Sequence, residues 1–234
     1  MRRRRAITIF IIGTIVLVLL GGAMPRLIEE SLPNSSPNTT TQEQTQEIQA
    51  PAGSAREALE ALEVKGRAPK TGYERSQFGD GWDTVNGCTT RNIILYRDLL
   101  NPVLNDECKV VSGTLVDSYS GEILQFSNER SAEVQIDHIV ALSDAWQKGA
   151  QNLTPDMREQ LANDPLELLA VSGAQNQAKS DGDAATWLPK NKLFRCEYVA
   201  RQIAVKKKYA LWVTEAEKTA IVGVLASCPE QALP

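Results

Sequence analysis

Histidine is almost missing from this sequence: there is one in 234 residues, His138. An enzyme that needs a general base near neutral pH therefore has one imidazole to use, the side chain whose ordinary pKa, ~6.5, suits the task. An excess of positive charge is missing too. The 25 Lys and Arg are outnumbered by 29 Asp and Glu, a formal net charge of −4. Setting aside the four arginines Arg2 to Arg5 shifts −4 to −8. Proteins that coat duplex DNA without sequence preference are usually basic, so strong charge-driven affinity is excluded for the bulk of the chain. What remains open is weak binding through a local basic face and a metal ion. Closely spaced cysteines are the third absence. No two of Cys88, Cys108, Cys196 and Cys228 stand at the Cys-x2–4-Cys spacing of structural zinc sites.

The N-terminus reads Met1-Arg2-Arg3-Arg4-Arg5, followed by uncharged chain from Ala6 to Met24. A basic segment before an apolar run is an export signal or an uncleaved signal anchor. Ile7 to Leu20 approaches the ~20 residues that span a bilayer, while Gly21-Gly22-Ala23 offers small residues for cleavage. Either way the arginines stay in the cytoplasm and the rest lies outside. The expected location is extracellular or at the cell surface, secreted or anchored in the membrane by this segment. Four cysteines in an exported chain read as two disulfides. Three pairings are open; the local pairs Cys88–Cys108 and Cys196–Cys228 are the expectation.

Residues 1–24 thus form a signal peptide or membrane anchor. Residues 25–53, rich in Ser, Thr, Asn, Gln and Pro, form a disordered linker. Residues 54–234 form one domain. A helix over 54–64 starts at a capping Ser54 with Glu57 three residues on. A helix follows over 89–100, then strands over 110–116 and 122–126 around a polar, glycine-containing turn. A strand over 133–140 carries His138. Helices over 142–150 and 155–162, a strand over 166–171 and a helix from 174, with Ser172 as its cap, come next. A long helix over 192–208 and a terminal one over 214–226, opened by Thr214 and Glu217, complete an α+β pattern.

Hydrolysis of a phosphodiester needs an activated water and charge to balance the transition state. Asp137, directly before His138, and Asn176 both offer hard oxygen atoms suited to Mg²⁺, Mn²⁺ or Ca²⁺. Adjacent residues of a regular strand point to opposite faces. Asp137 and His138 therefore share a site only at a strand end or a bulge.

Asp137-His138-Ile139-Val140 together with Asn176-Gln177-Ala178-Lys179 resembles the ββα-metal (HNH) nuclease fold, as in the HNH domain of RNA-guided DNA nucleases. A closer resemblance, over residues 72–228, is to the exported branch of HNH proteins related to the C-terminal nuclease domain of GmrSD-type restriction enzymes. Val134-Gln135-Ile136-Asp137-His138, Ser143-Asp144-Ala145-Trp146, Asn163-Asp164-Pro165, the Gly182-to-Pro189 stretch and Arg195-Cys196 carry it. The resemblance implies a ββα-metal core embellished with extra helices and a β-hairpin. It makes His138 the general base, and Asp137 and Asn176 the ligands of one divalent cation, Mg²⁺ first. Glu167 stands where the family has an asparagine that braces the histidine loop; it can accept a hydrogen bond there but not donate as an amide does. Ala141 stands where a proline is common.

Asn163 reads as a support of the site or as part of a helix-ending turn. Lys179 reads as a phosphate-steering group or a surface lysine. Lys192, Arg195, Lys206 and Lys207 belong to the one concentrated basic stretch, read as a nucleic-acid contact against the alternative of a solvated helix face. The expected substrate is DNA, with RNA open, and no obligate protein partner is expected. The other functional class compatible with the sequence is a cell-surface binding or structural module that keeps the fold without turnover.

Overall fold

The computed structural model describes residues 53–234. The apolar N-terminal segment and nearly all of the linker lie outside them. No helix among the described residues is long and apolar enough to cross a membrane.

Ser54 accepts a hydrogen bond from the Glu57 amide and opens helix α1 (Ala55–Glu60). After a coil and a 3-10 turn at Arg75–Phe78, a two-stranded ribbon, β1 (Thr84–Val85) and β2 (Cys88–Thr89), leads into α2 (Thr90–Asp98). The sequence predicted helix to residue 100. Instead Leu99 and Leu100 begin a strand, β3 (Leu99–Leu104), antiparallel to β4 (Val110–Val116). This strand eludes pattern reading because Pro102 cannot donate to a ladder and Asn101 has φ +50°, which breaks the alternation. Proline is tolerated because β3 is an edge: the order is β3-β4-β5, with β5 at Ile123–Ser127.

A separate antiparallel pair joins β6 (Val134–His138) to β7 (Leu168–Ser172), in regular register from Val134↔Ser172 to His138↔Leu168. Between them lie α3 (Leu142–Gln147) and α4 (Pro155–Asn163), the latter capped by Thr154 with proline in its first turn. Helix α5 (Gly173–Lys179) follows β7 directly. Ser172 precedes it but makes no capping hydrogen bond. Gly173 is required by space, since a Cβ there would lie 2.3 Å from the Ala132 carbonyl oxygen. Helices α6 (Arg195–Lys208) and α7 (Glu215–Leu225) close the domain, α7 through the expected Thr214–Glu217 capping box.

Helix α6 is central. Every residue from Tyr198 to Lys206 is buried, and Val199, Ile203 and Tyr198 join Leu59, Val171 and Ile221 in one core cluster. The burial takes in polar side chains as well, Arg201, Gln202 and Lys206, so each needs a partner inside. This corrects the nucleic-acid reading of Lys206. Its ammonium is fully buried, 3.0 Å from Glu217 and 3.3 Å from the Trp212 carbonyl. Arg195 is half-buried and donates to the Pro189 carbonyl at 2.7 Å. Lys192 and Lys207 are exposed.

Lys206 belongs to a buried charge network. Lys148, fully buried, lies 2.8 Å from Asp144, 2.8 Å from Asp183 and 2.6 Å from Glu217. Arg67 reaches Asp144 at 2.9 Å and Asp183 at 2.7 Å. Three carboxylates thus meet three cations. Burial opposes ionisation of Asp183, but the hydrogen bonds and charges of Lys148 and Arg67 outweigh it and hold the carboxyl down at about 2.

Both expected disulfides are present, Cys88–Cys108 and Cys196–Cys228, closing sequence separations of 20 and 32. The first ties the ribbon to the β3–β4 turn; the second ties the start of α6 to the chain beyond α7.

Two predictions follow from these contacts. Lys206→Ser should lower the free energy of unfolding by about 3 kcal/mol because it strips a partner from buried carboxylates, whereas Lys207→Ser should stay within about 0.5 kcal/mol. Urea titrations of the two variants test this, and equal stabilities would contradict the placement of Lys206. Reduction should cost about 3–4 kcal/mol per bridge at these loop lengths; an unchanged guanidinium midpoint with and without reductant would show that the bridges contribute nothing.

Candidate functional site

The backbone just beyond β6 carries polar groups into the interior, where each needs a partner. Lys179, buried on α5, donates to the His138 carbonyl at 2.8 Å. The Ile139 amide donates to the Glu167 carbonyl at 2.8 Å, and the Ile139 carbonyl accepts from Gln202 of α6 at 3.1 Å. The Val140 amide donates to the Glu167 carboxyl at 3.0 Å. Glu167 is therefore the brace of the histidine loop, as an acceptor. Burial, the dominant influence, pushes its carboxyl well above the usual range despite the Val140 amide and the Lys179 charge.

Asp137 is buried and accepts from two side chains: the Tyr119 hydroxyl at 2.5 Å and Lys179 at 3.0 Å. Burial raises the Asp137 carboxyl, with the Lys179 charge and both hydrogen bonds opposing that rise. Lys179 is thus neither a surface lysine nor free to steer phosphate. Tyr119, from the β4–β5 turn, is a site residue that the sequence reading missed; no motif singles it out. Asn176 donates from its amide nitrogen to Gln135 at 2.9 Å, which leaves its carbonyl oxygen without a hydrogen bond among the described residues.

His138 faces the other way. Its Nε2 lies 3.0 Å from the Ala162 carbonyl oxygen at the end of α4. A carbonyl only accepts, so Nε2 carries the proton and Nδ1 is left with its lone pair. Trp82 lies parallel to the imidazole, 7° between planes and 5.7 Å between centroids. Burial first, then the nearby Arg75 guanidinium, lowers the His138 pKa to about 3 against the Ala162 hydrogen bond. The ring is neutral throughout the physiological range.

The strand is regular through His138, so Asp137 and His138 do lie on opposite faces. They still line one cleft, because His138 is the last residue of β6, the strand end at which the sequence allowed them to share a site. The cleft, about 580 Å³, is lined by Asp137, His138, Gln135 and Asn176. Three cations border it, Lys70, Arg75 and Arg91, none of them in the basic stretch predicted from sequence. Lys192, Arg195, Lys206 and Lys207 do not line it. Lys70 pairs with Asp181 at 3.2 Å and Arg91 donates to the Val134 carbonyl at 3.3 Å.

A second cavity of about 380 Å³ adjoins this cleft and shares Arg75, Trp82, His138 and Leu142 with it. Asn163 supports the wall between them. Its side chain accepts from the Asp83 amide at 2.9 Å and donates to the Gly81 carbonyl at 3.4 Å, so it holds the chain on either side of Trp82.

The model of the GmrSD restriction endonucleases, C-terminal domain, matches residues 94–224, which contain Asp137, His138, Asn163, Glu167, Asn176 and Lys179. The chain belongs to this family. The domain is nuclease-related. An uncharacterized secreted protein of Arthroderma benhamiae is 37% identical to it over 180 residues, covering 76% of this chain and 86% of that protein. No solved structure matches the chain. The two disulfides and the secreted relative fit an extracellular setting.

The brace generates a prediction. Glu167→Gln keeps an oxygen that accepts from the Val140 amide and should leave stability near wild type. Glu167→Ala leaves that buried amide unpaired and should cost about 1–3 kcal/mol. Thermal unfolding of the two variants separates these outcomes; equal losses would remove the hydrogen bond as the reason for Glu167.

Proposed function

We propose that residues 54–234 form an extracellular HNH endonuclease that hydrolyses phosphodiester bonds in DNA, with His138 as general base and one divalent cation. The observation that carries this reading is the fixed tautomer of His138 in a cleft shared with Asp137 and Asn176. In it, β6, β7 and α5 correspond to the ββα unit: the first strand ends on Asp137-His138 and the helix carries Asn176 and Lys179.

The donor set fits a hard cation. Asp137 spends one hydrogen bond on each carboxylate oxygen, and each oxygen keeps a further lone pair. Asn176 offers an oxygen that is not otherwise engaged. No three His, Cys, Asp or Glu side chains cluster as ligands among the described residues. A cation held by Asp137 and Asn176 would thus keep several waters, as Mg²⁺ does. Once bound it supplies charge to the scissile phosphate and to the leaving oxygen.

The protein's own contribution is proton handling and alignment. Nδ1 of His138 takes a proton from water while the Nε2–H bond to Ala162 keeps the ring in place and stabilises the imidazolium that results. A base depressed chiefly by burial, and next by Arg75, is weak at rest. A phosphate anion bound beside Arg75 offsets that guanidinium, so His138 gains basicity as substrate arrives. Lys179 and Tyr119 hold the Asp137 carboxylate in one orientation. The Val140 hydrogen bond gives Glu167 a bracing role compatible with activity, which favours a nuclease over a module that keeps the fold without turnover.

Digestion of plasmid and single-stranded DNA by the full chain, with Mg²⁺, Mn²⁺ or EDTA, tests the proposal. Cleavage should require the metal, and His138→Ala should lose about 10²- to 10⁴-fold in rate with its fold intact. Asn176→Ala should need more metal for the same rate. Undiminished cleavage by His138→Ala would refute the assignment of the base.

A further inference from the structure

We propose that the smaller cavity beside His138 is a subsite for one unstacked base of a single-stranded nucleic acid, with Trp82 as its stacking wall. This rests on the nuclease reading and names its substrate class.

The lining is of the right chemistry. Trp82, Phe78 and Leu142 give aromatic and apolar walls, while Arg75 and Asp80 place polar groups at the border. Binding sites for small planar ligands have this composition, apolar faces with few polar groups. The position also fits. The cavity shares His138, Trp82 and Arg75 with the cleft that holds Asp137 and Asn176. A nucleotide whose phosphate lies against His138 has its base within reach of this neighbouring space.

Trp82 is presented for such a contact. It is half-buried, and its indole N–H makes no hydrogen bond among the described residues. Trp146 and Trp212 instead spend theirs on the Thr71 and Gly66 carbonyls, at 3.4 and 3.0 Å. Asn163 grips the chain on both sides of Trp82, so the wall is held. Arg75 makes no ion pair among the described residues, unlike Lys70, which is 3.2 Å from Asp181. A guanidinium free of acid partners can take a phosphate or stack on a base.

The duplex is disfavoured for two reasons. A paired base must leave its stack to enter the cavity, which costs energy that a single strand does not spend. The acidic chain also borders the cleft with only three cations, so phosphate contacts alone give little affinity. Stacking supplies the difference, as it does where single strands are held without sequence reading.

Fluorescence anisotropy of the full chain in EDTA tests the subsite without turnover. The probes are a labelled short oligonucleotide, its duplex, and the same strand carrying abasic sites. The single strand should bind more tightly than the duplex, and the abasic strand should lose that advantage. Trp82→Ala should weaken single-strand binding by roughly 5- to 150-fold while leaving duplex binding unchanged. Trp82→Phe should keep most of the binding. Trp82→Leu, which preserves packing volume but not the π-face, should behave as Trp82→Ala and serves if the alanine variant fails to fold. Equal binding of single strand and duplex, or single-strand binding indifferent to Trp82→Leu, would overturn the subsite. Cleavage of single-stranded DNA and of plasmid in Mg²⁺ separates the two readings: cleavage of either with Trp82-independent binding removes the subsite alone. Trp82-dependent binding of single strands without any cleavage removes the nuclease and leaves the subsite.

Discussion

The site depends on how the end of one strand is held. Beyond His138 the chain turns into the interior with its peptide groups still polar, and water cannot reach them. Four residues answer that demand: Lys179 from α5, Glu167 from the segment before β7, Gln202 from α6, and Ala162 from α4 through its contact with the imidazole. Helices α4, α5 and α6 and the segment before β7 thus each contribute a hydrogen bond within two residues of His138. A histidine so placed has little rotational freedom left. The orientation of the imidazole is thus set when the chain folds.

The same economy governs the cations. Lys148, Lys179 and Lys206 are fully buried and committed to carboxylates, and Arg201 donates to the Pro165, Leu166 and Leu168 carbonyls. A count of Lys and Arg along the chain places the positive face on the stretch that ends at Lys208, yet much of that charge is spent inside. The signal for this lay in the sequence: Tyr198-Val199-Ala200 and Ile203-Ala204-Val205 surround the basic residues with apolar ones. A helix of that kind belongs to the core, and its charges follow it there. The cations that border the cleft, Lys70, Arg75 and Arg91, are scattered over a stretch with no periodic pattern, so only the folded chain brings them together.

Elements with a strong local signature were legible. The Thr214–Glu217 capping box, the proline at the start of α4 and the hairpin of β4 and β5 all form where the pattern put them. So did the strand that ends in Asp137-His138. What escaped was set by neighbours distant in sequence. Strand β3 exists because β4 offers a ladder to an otherwise unpromising segment containing Pro102. Helix α5 starts without help from the Ser172 side chain, because the close approach of the Ala132 carbonyl fixes the backbone at Gly173. Tyr119 reaches Asp137 from a turn 18 residues away, a meeting that no spacing rule anticipates. Asn163 proved to support the wall that carries Trp82, a role visible only in three dimensions.

The cleft is assembled from two stretches of chain with different obligations. His138, Asp137, Asn176, Glu167 and Lys179 lie within the family match at residues 94–224, whereas Lys70, Arg75, Trp82 and Arg91 all precede it. The first set is interlocked through buried hydrogen bonds, so a change at one position disturbs several others. Of the second, Arg91 lies on α2, while Lys70, Arg75 and Trp82 lie on the coil and 3-10 turn, which Phe78 anchors in the core and Arg158 ties down through Gln77. Lys70 and Arg75 themselves are exposed. The exposed charges at the rim and the buried network at its floor are thus carried on separate stretches of chain, so a side chain such as Lys70 can be exchanged without disturbing the hydrogen bonds around His138.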